Sequence, residues 1–374
     1  MDITYDSEIF ALQEHGGVSR LFSELIREFV SNPALGIKPI LSFLRTNNFY
    51  LNQLADEKLI EAMKPLGNYL VPNSPLRTLL TLGITHDLSL SYAARSRNVE
   101  AELLHATYYR PTRVELRAKD RLVVTVHDFI PERLGWNWVK NPHYGKKKLI
   151  TRADLVVCVS DATKRDLISF YGNIDVPTIV VPHGVREVST LDEKLRSELS
   201  KPYVLYVGHR AGYKSFETLA RAMEILFERN EDIELVSVGP RLTAEEKIKY
   251  EKILVSRKWN NLGQVSDIEL RSLYKKAHMT CVTSTMEGFG LPVIESLSEG
   301  TSVLASRIPV FQEVGSNCVS YFEPGNAESL AYSITSELQI AFDRENIQKR
   351  LSRASQFTWA MAASRMAQAY KSLA

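Results

Sequence analysis

Three cysteines in 374 residues, Cys158, Cys281 and Cys318, are odd in number and far apart. That excludes a disulfide framework, and no Cys/His spacing resembles a zinc site. Cys158 and Cys281 fall in apolar, strand-like runs, as buried thiols of a reducing compartment do. Neither sign of charge is in excess: the net charge is +2, with 24% charged residues. Nothing global therefore points to nucleic acid as a partner. No apolar run is long enough to span a membrane. The first residues, Met1-Asp-Ile-Thr-Tyr-Asp, lack the basic region and apolar core of a secretory signal, so the expected location is the cytoplasm.

Familiar catalytic signatures are missing as well. There is no Gly-x-x-x-x-Gly-Lys-Ser/Thr, no Gly-x-Gly-x-x-Gly after the first strand and no Gly-x-Ser-x-Gly elbow. ATPase, dehydrogenase and serine hydrolase readings all weaken. No Asp-x-Asp is present to hold a divalent cation on a diphosphate, so neither a metal nor a cofactor is expected.

What remains is a chain long enough for two domains, each with its own core. Short β-branched runs alternate with amphipathic stretches, which predicts α/β architecture with parallel sheets covered on both faces. In the first half the strands are Ile3-Thr-Tyr, Lys38 to Phe43, Glu102 to Ala106, Leu122 to Val126, Leu155 to Val159 and Thr178 to Val181. A helix over Val18 to Val30 and another capped by Asp161 or Ser160 lie among them. Residues 186 to 201 read as a linker. A second series starts at Tyr203-Val-Leu-Tyr-Val-Gly208, with helices expected over Phe216 to Arg229, Thr243 to Trp259 and Ile268 to Ala277. The fold class is thus two tandem Rossmann-like, doubly wound domains, 1–190 and 191–356, facing across a cleft. Such sheets bind ligands beyond the carboxyl ends of their strands.

The richest segment is Thr283-Ser-Thr-Met-Glu-Gly-Phe-Gly-Leu-Pro-Val-Ile-Glu295. An apolar strand, Met279 to Val282, leads into a glycine-bearing loop. Pro292 opens a helix that ends near Gly300. Strand, Gly-rich loop and helix N-terminus together hold phosphate through backbone N–H groups and the positive end of the dipole. Carboxylates repel such an anion. Glu287 and Glu295 make sense beside it if the ligand also carries hydroxyls, as a nucleotide-sugar does. The plainer reading is that Glu295 gains only from the dipole of its helix.

Other strand ends carry polar groups. His127-Asp128 follows Leu122 to Val126. Gly208-His-Arg-Ala-Gly-Tyr-Lys214 sets two cations, Arg210 and Lys214, beside a turn, as a diphosphate leaving group requires. Gly16-Gly17 would let a backbone come close to a ligand, or form a plain turn. Pro182-His183-Gly184-Val185 reads as a hinge. Basic residues cluster at Arg110, Arg113, Arg117, Lys119 and Arg121, and again at Lys146-Lys-Lys148 with Arg152, near Trp136 and Trp138. Solvated faces are the default for these. Contact with a membrane surface is the alternative.

Glu287 and Glu295 within Met-Glu-Gly-Phe-Gly-Leu-Pro-Val-Ile-Glu resemble the Glu-x7-Glu signature of family 4 of retaining glycosyltransferases, which have the GT-B fold. Val156 to Leu167, Leu262 to Leu270, and Tyr5 to Phe10 with His15 to Arg20 are similar to other family segments, the last to bacterial enzymes of surface-polysaccharide synthesis. The resemblance implies that Arg210 and Lys214 bind the donor diphosphate. Gly288, Phe289, Gly290 and Leu291 would surround phosphate and sugar, with the last three offering backbone amides. Glu287 would contact hexose hydroxyls, Glu295 the ribose, and the Val265 backbone the base. His127 would touch the donor sugar, Gly16 and Gly17 would approach the diphosphate, and a final helix, 357–374, would pack back on the first domain. The implied reaction moves a hexose from UDP-hexose or GDP-mannose, without metal, to a saccharide or lipid-linked saccharide. A nucleotide-sugar 2-epimerase and an inactive glycosyltransferase-like subunit are the alternatives.

Overall fold

The computed structural model describes residues 1–43, 45–61, 103–109, 121–137, 141, 143–186, 202–254, 258–340 and 343–373. Arg110, Arg113, Arg117, Lys119, Trp138 and all but the first residue of the 186–201 segment lie outside them. The chain forms two compact units, Met1–His183 with Trp359–Ala374, and Gly184–Thr358.

The first unit is built on six strands: β1 (Asp2–Tyr5), β2 (Lys38–Leu41), β3 (Leu103–Ala106), β4 (Arg121–Val126), β5 (Leu155–Cys158) and β6 (Thr178–Val180). Their order is β2-β1-β3-β4-β5-β6, and every pairing is parallel. β3 and β5 are buried along their whole length, and β4 is buried after Arg121. This is why Leu-Val-Val runs without polar alternation form these strands: both faces are covered. The helix Gly17–Ser31 buries one stripe, Leu21, Phe22, Leu25, Ile26 and Phe29. That stripe lies against the sheet and the C-terminal helix Trp359–Lys371.

The C-terminal helix is tied to the first sheet by polar contacts as well. Tyr370 Oη lies 3.0 Å from Tyr5 Oη and 2.5 Å from His105 Nδ1. His105 Nε2 lies 2.7 Å from Thr125 Oγ1. All four groups are buried on β1, β3, β4 and the helix. A hydrogen-bonded chain of this kind is specific, because leaving any one member unpaired in the interior is costly.

The second unit repeats the architecture with β7 (Tyr203–Val207), β8 (Glu234–Val238), β9 (Trp259–Gly263), β10 (Met279–Val282), β11 (Ser302–Ser306) and β12 (Ser320–Phe322). The order is β12-β11-β10-β7-β8-β9, again all parallel. Counted within the unit this is 3-2-1-4-5-6, the dinucleotide-fold order, whose direction reverses between β7 and β10. Phe216, Leu219, Met223 and Leu226 of the helix Phe216–Glu228 pack on Val204, Leu235, Met279 and Leu304 in the core beneath it.

One element differs from expectation. The helix begun at Thr243 stops at Ile253, and Trp259–Gly263 is the edge strand β9. Its sequence, Trp-Asn-Asn-Leu-Gly, has little strand propensity. The ladder with β8, from Leu235↔Trp259 to Val238↔Gly263, makes it a strand. A second difference is Lys146. It is fully buried, not part of a solvated basic face, and its ammonium lies 3.4 Å from the centre of the Phe129 ring. It donates to Asp128 O and lies 3.1 Å from Glu132 Oε1. Burial pulls its pKa down, while Glu132 and Asp128 act to raise it.

Candidate functional site

The reversal point of the second sheet is where its strand-end loops diverge, and the loops that carry Arg210, Lys214 and Glu287 leave it. β7 ends at Val207, and Gly208 to Ala211 lead into a short turn of 3-10 helix, Gly212–Lys214. β10 ends at Val282, and the loop from Thr283 runs to the helix Leu291–Ser298. Hydrogen bonds stitch the two loops together. Thr283 Oγ1 donates to Lys214 O at 2.8 Å, and Thr285 N donates to Tyr213 O at 2.8 Å. The Lys214 ammonium then donates to Glu287 Oε1 at 2.6 Å, and Ser284 Oγ donates to the same oxygen at 2.8 Å. The pair is largely sheltered, with side-chain exposures of 22% and 13%.

The helix beyond this loop starts as the sequence predicts. Gly290 caps it with φ +101°, a left-handed value, and Pro292 sits in its first turn. A Cβ at Gly290 would come 2.7 Å from the Phe311 ring, so space as well as conformation requires glycine. Gly288, Phe289 and Gly290 are buried, and Leu291 is half-buried. Glu295, one turn into the helix, accepts from the Tyr274 hydroxyl at 3.0 Å. Val265 is half-buried between β9 and the helix Asp267–Lys276, and its side chain packs on the Tyr203, Leu205 and Tyr274 cluster.

Arg210 takes a different course from Lys214. It is 3% exposed and turns towards the loop after β8. Its Nη2 donates to Pro240 O at 2.6 Å and lies 3.3 Å from Glu246 Oε2. Its Nε and Nη1 are buried and have no hydrogen-bond partner among the described residues. Buried guanidinium N–H groups left unpaired cost free energy that an incoming anion or carbonyl removes. Gly239 makes room for this arrangement. A Cβ there would lie 2.2 Å from Gly208 O and 3.6 Å from Arg210 Nη1. Sequence reasoning passed over Gly239, Pro240 and Glu246. The signal available was a glycine directly after the apolar strand β8.

In the first unit, His127 stands at the carboxyl end of β4 and is 4% exposed. Its backbone N–H donates to Tyr109 Oη at 3.0 Å, and its buried ring faces the Thr107 backbone. Burial holds its pKa well below the ordinary histidine value, with His183 and His143 adding to the effect and the Thr107 backbone acting to raise it. The imidazole is therefore neutral at physiological pH. Gly16 precedes the helix Gly17–Ser31; the Gln13 side chain fills the space beside it and accepts from Ser19 N at 3.1 Å. His183 is buried near Trp359 and held at about 3, chiefly by burial and then by Arg20. Glu132 joins His143, Lys146 and Tyr171 into a network around the His127-Asp128 segment.

Two family models account for most of the sequence. Residues 187–355 match the model for glycosyl transferases group 1, and residues 15–187 match that for glycosyltransferase family 4. The chain belongs to the group 1/family 4 glycosyltransferases. Among curated relatives of the family, O-antigen chain mannosyltransferase B of Escherichia coli is 26% identical over 71% of this chain and 73% of its own length. O-antigen chain mannosyltransferase RfbU of Salmonella typhimurium is 27% identical over 55% of this chain, and the match spans 58% of that relative. Sucrose-phosphate synthase from Thermosynechococcus elongatus matches the structure with a TM-score of 0.77 at 20% identity, over 100% of this chain and 99% of that one. HepE of Anabaena, solved in complex with UDP-glucose, gives 0.70 at 20% identity over 100% of both chains. These likenesses identify the fold as GT-B, and the family models make the chain a glycosyltransferase.

Proposed function

We propose that the protein moves a hexose, with retained anomeric configuration and without a metal ion, from a nucleotide diphosphate sugar to a saccharide or lipid-linked saccharide in polysaccharide synthesis. The observation that carries this reading is the Lys214–Glu287 pair at the reversal point of the second sheet. A cation there matches the phosphate end of a donor, and a carboxylate beside it matches sugar hydroxyls. Arg210 supplies further buried N–H donors next to the same strand end. The two bacterial relatives are mannosyltransferases by name, which favours GDP-mannose as the donor.

In the proposed step the bond between C1 and the diphosphate oxygen breaks while the acceptor oxygen bonds to C1 from the same face. The leaving phosphate oxygen takes the acceptor's proton. Lys214, Arg210 and the N-terminal turn at Leu291 stabilise the charge growing on that phosphate. Positive charge from the protein stands where other enzymes place a divalent cation. Glu287 orients the hexose, Glu295 and the Val265 backbone hold the nucleoside, and His127, Gly16 and Gly17 keep the roles their family positions imply.

The test incubates the purified protein and a lipid-linked saccharide acceptor with GDP-mannose, UDP-glucose or UDP-galactose, with EDTA present, and follows nucleotide release and product anomer by NMR. Release of GDP with the α configuration kept is the expected result. Conversion of a donor to its 2-epimer, or loss of turnover in EDTA, would overturn the reading.

A further inference from the structure

Arg210 is a long, flexible side chain, and a rigid guanidinium in a buried place needs something to hold it. Two groups do so here. One is Pro240 O, in the loop after β8, at 2.6 Å. The other is Glu246 Oε2 at 3.3 Å. Glu246 is the third residue of the helix Ala244–Ile253 and is itself fixed by a capping box. Its N–H donates to Thr243 Oγ1 at 3.1 Å, and its Oε2 accepts from Thr243 N at 3.0 Å. One carboxylate oxygen thus serves both the helix start and the arginine. Burial alone would raise the Glu246 pKa, but the Thr243 N–H and the Arg210 guanidinium outweigh it and hold the carboxyl below its ordinary value. The carboxylate is charged at neutral pH.

The consequence lies in what this leaves of Arg210. With Nη2 occupied, Nε and Nη1 are the two N–H directions still unsatisfied. Those two point to different sides of the guanidinium, so each can donate a separate hydrogen bond to an acceptor oxygen. Gly239 keeps side-chain atoms away from Nη1.

We propose that Glu246 is a positioning residue for donor binding: from the first turn of its helix it locks Arg210 by Nη2, so that the Nε and Nη1 N–H groups are presented ready-made to diphosphate oxygens. This rests on the donor reading above. Ordering a rotamer-rich side chain before binding removes that cost from the binding step. Loss of Glu246 leaves Arg210 on a single carbonyl.

The test is a double-mutant cycle on the full chain, with the affinities for GDP and UDP measured by calorimetry. The corners are wild type, Glu246→Ala, Arg210→Ala and the double variant, each checked by thermal melting. Glu246→Ala should weaken nucleotide diphosphate binding about tenfold, or about 1.4 kcal/mol. In the Arg210→Ala background the same change should cost nothing more. Glu246→Gln, which keeps an acceptor for Thr243 N, should fall between wild type and Glu246→Ala and holds the test open if the alanine variant folds poorly. An unchanged affinity in Glu246→Ala, or equal losses from Glu246→Ala with and without Arg210, would overturn the positioning role alone. Failure of the wild type to bind either nucleotide would overturn the donor reading, and this inference with it.

Discussion

The Lys214 ammonium and the Glu287 carboxylate meet at 2.6 Å although 73 positions separate them in the chain. The sequence pattern places each at the end of a strand. Adjacency of β7 and β10 in the sheet brings the two ends together. The pair therefore reports the strand order as directly as it reports chemistry.

Lys214→Ala should lower kcat by about 10²–10³, the usual loss when one preorganised charge contact to a leaving group is removed. The pair is largely but not wholly sheltered, so its effect on folding should be small. Steady-state kinetics beside a melting curve checks both halves. A normal kcat would remove Lys214 from the chemistry.

Gly290→Ala should destabilise the second unit by about 1–3 kcal/mol, because the new methyl group overlaps the Phe311 ring. The left-handed backbone at this position adds strain for any L side chain. The expected sign is a melting point lowered by several degrees. Phe311→Ala alone should cost about 3–5 kcal/mol, and the double variant should lose less than the sum of the two single losses; calorimetry reads this coupling.

Stability should fall as pH is lowered from 6.5 towards 3. Burial holds His105 at about 3 in the native chain against an ordinary 6.5, so the unfolded chain binds more protons across that interval. His183, also at about 3, and His127, held well below its ordinary value, act in the same direction. The contribution is therefore complete above 6.5 and is lost on acidification. Melting temperature against pH tests this, and His105→Gln should make the curve shallower whatever it does to the maximum. An equally steep curve in that variant would acquit His105.

Lys146 and its two neighbours should behave differently. Removing one partner of a buried, paired charge costs about 3–5 kcal/mol, so Lys146→Ala should be severely destabilised. Lys147 and Lys148 are exposed, and charge reversal there should leave the melting point within a degree or two. If this face meets a membrane, Lys147→Glu with Lys148→Glu should abolish sedimentation with phosphatidylserine vesicles. No sedimentation of the intact protein would end that idea.

Local chemistry accounts for much of what the sequence made legible. Leu122 to Val126 and Leu155 to Cys158 are too uniformly apolar for anything but strands covered on both sides. Ser160 caps its helix by accepting from Thr163 N at 2.9 Å, and Pro292 with Gly300 brackets another. Trp259–Gly263 does not read as a strand from sequence, because its asparagines carry no local strand preference and pairing with β8 supplies one. Lys146 reads as a surface residue from sequence because three lysines in a row look solvated. A helix turning the first of them inward cannot be read from composition.

What the sequence decided by itself is a set of short-range facts: buried strands, helix starts, and two glutamates eight positions apart around a glycine loop. The tertiary structure alone decided which strand ends became neighbours. It set Gly239 against Gly208, turned Arg210 to Glu246, and joined Tyr370 to Tyr5 and His105. The physical reason is range. Side-chain periodicity and capping are settled within a turn or two, whereas parallel strand pairing joins segments that no local spacing relates.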